Sequence, residues 1–133
     1  EKVDKDHLVD RLALPQLVTF AERMEFNSQA VTDYLQKQLQ PFDLSKYSSL
    51  VLGCTHFNYF KDTMREILPD NVQFVDGNEG TVRELIRRLK ERNQLEHNPQ
   101  TVTYFYSGRQ VTDVVELERL ENCLSRLEKM YRI

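Results

Sequence analysis

An apolar run, Leu50-Val51-Leu52, stops at Gly53 and gives way at once to Cys54, Thr55 and His56. The run suits a short strand buried on both faces. Beyond it Phe57, Phe60, Met64, Ile67 and Leu68 recur at helical spacing until Pro69 ends the pattern. The same grammar returns further along: Val72, Phe74 and Val75 read as a strand closing at Asp76. A polar turn with Gly77 and Gly80 follows, and then Val82, Leu85, Ile86 and Leu89 at helical spacing. Parallel strands need a crossover, so two consecutive strand-turn-helix units are what a helix-covered parallel sheet is made of. The expected fold class is therefore α/β, a parallel-sheet lobe with helices on both faces. The turns at residues 53–56 and 76–81 should open on the same edge, the carboxyl edge, where such sheets hold their ligands.

The remaining segments fill in around this pair. Residues 1–6 are charged and expected to fray, with His7 solvated in that lead-in. Leu8, Val9, Leu12, Ala13 and Leu14 read as a short strand closed by Pro15, which suits the first turn of the next helix. Leu17, Val18, Phe20, Ala21 and Met24 give that helix its apolar content. Ser28 is placed to cap a second helix with Val31, Tyr34, Leu35 and Leu39 inward, ended by Pro41. Residues 91–100 form a charged linker in which His97 is exposed. Residues 101–106 alternate β-formers and aromatics as a third strand ended by Ser107-Gly108. A long last helix then carries Val114, Leu117, Leu120, Leu124, Leu127 and Tyr131 on one face.

Composition narrows the class. With 133 residues, 40% hydrophobic and 29% charged, there is material for one modest domain. No run approaches the roughly 20 apolar residues of a membrane span, and the start lacks the apolar core of a secretory signal. A net charge of −3 with mixed signs argues against a nucleic-acid surface, so neither membrane nor nucleic acid is an expected partner. Two cysteines, Cys54 and Cys123, make neither a disulfide framework nor a tetrahedral zinc set. A reducing cytoplasm is the simplest setting.

The turn at 53–56 is where chemistry concentrates. Gly53 lets backbone approach a small ligand, and the helix start beyond it offers N–H groups to an anion and favours a thiolate at Cys54. His56 lies on the same short turn and can converge with Cys54 on one substrate. The plainer reading stays beside this one: a Cys after a strand also serves as a small buried hydrophobe, and a His as a hydrogen-bonded packing residue. Asp76 and Glu79 are read as capping groups at a helix start rather than as an acid/base pair. Cys123, beside the apolar stripe of the last helix and without flanking Gly, His or acid, is read as packing.

Four blocks resemble one family. Leu52-Gly53-Cys54-Thr55-His56-Phe57 is similar to the Leu-Gly-Cys-Thr-His-Tyr/Phe signature of the glutamate racemases, within the aspartate/glutamate racemase superfamily. The block at 74–81 resembles that family's Val-Asp-Ser-Gly-Glu-Ala-Thr segment, with Gly77 and Asn78 in place of Ser-Gly. The stretch 12–22, with Pro15, Leu17, Val18 and Glu22, resembles its Ala-Cys-Pro-x-x-Val-Pro-Leu-Val-Glu. Residues 104–108 resemble its Tyr-Phe-Thr-Ser-Gly.

The resemblance implies racemisation of glutamate by two cysteines on opposite faces of the α-carbon, without pyridoxal phosphate or metal, supplying D-glutamate for peptidoglycan. It implies Cys54 as one acid/base residue, His56 assisting it, Glu22 orienting or balancing His56, and Thr55 with Gly53 binding substrate. The family's Asp-Ser-Gly-x-Gly-Gly segment and its other cysteine, ahead of Asn-Thr, do not occur here, and family enzymes have two lobes and about twice this length. The expectation is thus a carboxyl-terminal half: residues 1–100 as an α/β lobe and 101–133 as a strand and helix that return to the absent first lobe. The apolar stripe of that last helix should then be exposed or buried by self-association into a homo-oligomer. An aspartate racemase-like enzyme, or a non-catalytic α/β module binding an amino acid or a partner, are the alternatives.

Overall fold

A computed structural model describes residue 4 and residues 8–95 and 101–133. The expectations for His7 and His97 lie outside the described residues.

Local chemistry accounts for the first two helices. α1 (Pro15–Glu22) starts on proline, whose missing N–H is lost without cost at a helix start. α2 (Gln29–Leu39) is capped by Ser28, whose Oγ accepts from the Val31 N–H at 3.4 Å. A 3-10 turn, Leu44–Lys46, leads into β1 (Ser49–Val51). A 3-10 helix (Thr55–Phe60) then runs into α3 (Lys61–Ile67), followed by β2 (Gln73–Val75) and α4 (Asn78–Glu91). The chain closes with β3 (Phe105–Tyr106), β4 (Arg109–Gln110) and α5 (Val114–Met130).

β1 and β2 pair in parallel, with Leu50 opposite Phe74 and Val51 opposite Val75. The ladder is extended by Gln73 N–H to Ser48 C=O at 2.9 Å and Leu52 N–H to Val75 C=O at 2.8 Å. α1, α2, α3 and the long 3-10 helix enclose the core, in which Leu17, Val31, Leu35, Phe60, Met64 and Val72 are fully buried. Such side chains stabilise a fold by about 1.5–3 kcal/mol each on burial.

Four expectations are corrected. Residues 8–14 form no strand: they run alongside β1 without joining its ladder, and Tyr47 holds them by donating to the Asp10 carboxylate. They line a largely apolar cavity of about 470 Å³ with Leu50, Leu52 and Phe57. β1 is not buried on both faces; Val51 is 67% exposed, and its neighbour Val75 on β2 is exposed too, because among the described residues nothing covers that face of the sheet. Residues 101–106 do not extend the parallel sheet. Ser107 and Gly108, both at positive φ (49° and 82°), make a two-residue turn that folds β3 back on β4 as a separate antiparallel hairpin. α4 has the helical period, yet Val82, Leu85 and Ile86 are exposed and only Leu89 of its apolar stripe is half-buried, so most of that stripe is bare within the described residues. The stripe of α5 is mixed: Leu117, Leu120 and Leu127 are half-buried, while Val114, Leu124 and Tyr131 are exposed.

Candidate active site

The backbone leaves β1 through Leu52, which is buried, and Gly53, which is exposed, and turns into the 3-10 helix at Cys54. Cys54 Sγ stands 3.7 Å from His56 Nδ1, and both side chains are half-buried. The thiol is neither sealed in the core nor cross-linked. Thr55 is exposed beside it. A Cβ built at Gly53 would meet nothing within 4 Å, so the fold itself does not require glycine there and the space over that backbone is open.

Glu22, by contrast, is not brought into hydrogen-bond contact with this pair. It ends α1 with its side chain exposed, and its backbone carbonyl accepts from Arg119 on α5. Among the described residues no hydrogen bond joins its carboxylate to His56. Cys123 packs as expected, its Sγ 3.4 Å from Met24 Sδ. Burial, and next to it Cys123, raise the neighbouring Tyr59 phenol to about 12, which keeps it protonated.

Sequence reading missed the groups that brace the turn. Lys61, one helical turn beyond Phe57, is buried and its Nζ reaches Asp76 Oδ2 at 2.9 Å, tying the start of α3 to the turn after β2. Asp76 Oδ1 also accepts from the Asn78 N–H at 2.9 Å, which caps the start of α4. These two roles support the reading of Asp76 as structural. A lysine set in the apolar stripe of Phe57, Phe60 and Met64 was the available signal. Asn58 is buried as well, its Nδ2 donating to the Thr55 carbonyl at 3.4 Å. With Lys61, Asp76, Asn78 and the apolar side chains Leu124 and Met130 of α5 it lines a second cavity of about 250 Å³. Cys54 lines neither cavity.

The Lys61 ammonium, and after it the Asn78 N–H, hold the Asp76 carboxyl below its ordinary value of 3.8. A carboxyl lowered in the folded state adds stability that is complete above its unfolded value and is lost as pH falls through the folded one. Thermal melts should therefore show the native chain losing more stability between about pH 5 and pH 2 than Asp76→Asn does. Equal losses would mean that the pair contributes nothing to acid sensitivity.

Among the described residues no group of three or more His, Cys, Asp or Glu side chains is placed to hold a metal ion, and no helix is long and apolar enough to cross a membrane. No protein-family model matches the chain. Individual relatives do. The glutamate racemase of Campylobacter curvus is 51% identical over all 133 residues, and that of Campylobacter concisus 54% identical over 122 residues, 92% of the chain. Glutamate racemase 2 of Bacillus subtilis is 36% identical over 132 residues, 99% of the chain. The chain matches the carboxyl-terminal half of glutamate racemases. It spans about half the length of the relatives it matches: 50%, 47% and 50% of these three glutamate racemases respectively, in their carboxyl-terminal half. Because the match to the Campylobacter curvus relative covers all 133 residues of the chain, Cys54 and His56 lie inside it.

Proposed function

We propose that this chain is the Cys54-bearing half of a cofactor-independent glutamate racemase. The observation that carries the reading is the 3.7 Å approach of Cys54 Sγ to His56 Nδ1 on an open turn at the carboxyl end of a parallel strand. The likeness to glutamate racemases supports glutamate as the substrate.

In this reading the Cys54 thiolate removes the α-proton from one enantiomer, and the C–H electron pair stays on the α-carbon, spread into its carboxylate. A second cysteine thiol, from the amino-terminal half, gives its proton to the opposite face, so Cys54 ends as thiol and its counterpart as thiolate. His56 takes and returns the Cys54 proton, a general-base role that needs only hydrogen-bond reach. Thr55, through hydroxyl and backbone N–H, holds a substrate carboxylate over Gly53, where donors fixed before the reaction stabilise developing charge most. Glu22, exposed at the end of α1, supplies balancing negative charge to His56 across the intervening space. In this reading the lobe at 1–100 faces the amino-terminal half, and 101–133, whose helix α5 is seated on that lobe through Arg126, extends toward it. Cytoplasmic supply of D-glutamate to peptidoglycan is the matching role.

Incubating the chain in deuterium oxide with each enantiomer of glutamate checks this. The chain alone should give no net racemisation, and at most slow deuterium incorporation into one enantiomer, lost in Cys54→Ala. Full racemisation by the isolated chain would overturn the two-half account.

A further inference from the structure

The 3-10 helix that follows Cys54 is six residues long, more than this geometry usually sustains by itself, and Cys54 makes no side-chain capping bond at its start. Its far end is gripped from outside. Arg126 of α5 donates from Nε and Nη2 to the Tyr59 carbonyl at 3.1 and 2.9 Å, and from Nη2 to Asp62 Oδ1 at 2.6 Å. The guanidinium also lies 5.2 Å from the centre of the Phe26 ring. Both charged side chains are largely withdrawn from water, at 15% and 29% exposure. Such a contact needs a planar fork: a lysine in its place reaches the carbonyl or the carboxylate but does not serve both with the same geometry. Elsewhere α5 is seated by Arg119 on the Glu22 carbonyl, by Cys123 on Met24 and by the buried Met130, while Val114, Val115, Leu124 and Tyr131 stay exposed.

We infer that Arg126 is a positioning residue for the Cys54–His56 turn. By fixing the carbonyl end of the 3-10 helix it sets where the thiol, the imidazole and the Thr55 N–H stand, and it makes α5 a mechanical part of the site. The inference rests on the reading of Cys54 as a reacting thiol beside an anion-holding turn.

Two measurements on the full chain test it: amide hydrogen exchange of residues 55–60, and the ratio of Cys54 alkylation rates with iodoacetate and iodoacetamide, resolved from Cys123 by mass spectrometry. The two reagents differ in charge, so general loosening speeds both alike, whereas loss of aligned donors lowers the ratio. Arg126→Gln should raise exchange at 55–60 about tenfold and lower the ratio. Arg126→Lys should fall between Gln and the native chain, and it stands in if the Gln variant does not fold. Val31→Ala, a core substitution remote from the clamp, serves as the destabilised control and should leave the ratio unchanged. Arg126 variants that behave like Val31→Ala, or that speed exchange without moving the ratio, overturn the inference. A native Cys54 no more reactive toward either reagent than in the urea-unfolded chain sinks the functional reading instead, and exchange then decides whether Arg126 fixes the turn.

Discussion

Cys54→Ser, in a full-length chimera joining the amino-terminal half of the Campylobacter curvus relative to this chain, is expected to lower racemisation of either glutamate enantiomer by about 10²–10⁴-fold. The figure is what a positioned acid/base group contributes, and serine cannot replace it because its hydroxyl stays protonated where a thiol ionises. The substitution removes no core packing, since Cys54 is only half-buried on an open turn. Cys123→Ser should leave turnover within about twofold, because Cys123 is half-buried against Met24 on the flank of α5 and serine is close to it in size. Circular dichroism at a wavelength sensitive to glutamate chirality gives both rates directly. Equal loss in the two variants would move the chemistry away from Cys54. A chimera inactive only when Cys123 is changed would reverse the assignment outright.

Lys61→Met should be the most damaging single change to folding away from the apolar core, at about 3–5 kcal/mol. Lys61 and Asp76 side chains are 11% and 17% exposed, so water screens the pair only weakly, and removing one partner strands the other charge. Methionine matches the lysine stem that lies near the Phe74 ring, with Nζ 5.9 Å from its centre, so the loss reads charge and hydrogen bonding rather than volume. Urea unfolding of native, Lys61→Met and the double variant Lys61→Met/Asp76→Asn distinguishes the terms. The double variant should recover a substantial part of the loss, because a neutral amide no longer needs the ammonium. A Lys61→Met cost below about 1 kcal/mol would place the pair with solvated surface ion pairs. The consequence reaches function: the bond ties the start of α3, which continues the 3-10 helix after Cys54, to the turn after β2, so its loss should loosen the frame around Cys54 as well as lower the melting temperature.

Much of this architecture is written in short-range pattern. The apolar run before Gly53 and the helical stripe through Phe57, Phe60 and Met64 place a strand, a turn and a helix where β1, the Cys54 turn and α3 occur. Ser28 and Pro15 mark helix starts, and both do start helices. The same short-range logic names the Cys54–His56 turn, since a thiol and an imidazole two residues apart on one turn have little distance to travel; the fold brings them to 3.7 Å.

Sheet membership and buried charge were decided elsewhere, because each needs a partner that local pattern does not specify. Residues 8–14 have strand composition and no ladder. Residues 105–106 have strand composition too, but pair with the next segment through a positive-φ turn instead of with β2. Lys61 finds Asp76 fifteen residues on, and Arg126 finds Asp62 sixty-four residues back. Dihedral preference and side-chain period act within one helical turn, so the sequence by itself determined which segments are helical and which turn bears the thiol, though not every helix start: the turn expected at 76–81 is already helix from Asn78, Gly80 included. Only tertiary packing decided which strands pair, which stripes stay bare and which charges brace that turn, since a hydrogen bond or ion pair is settled by whatever the rest of the chain brings alongside.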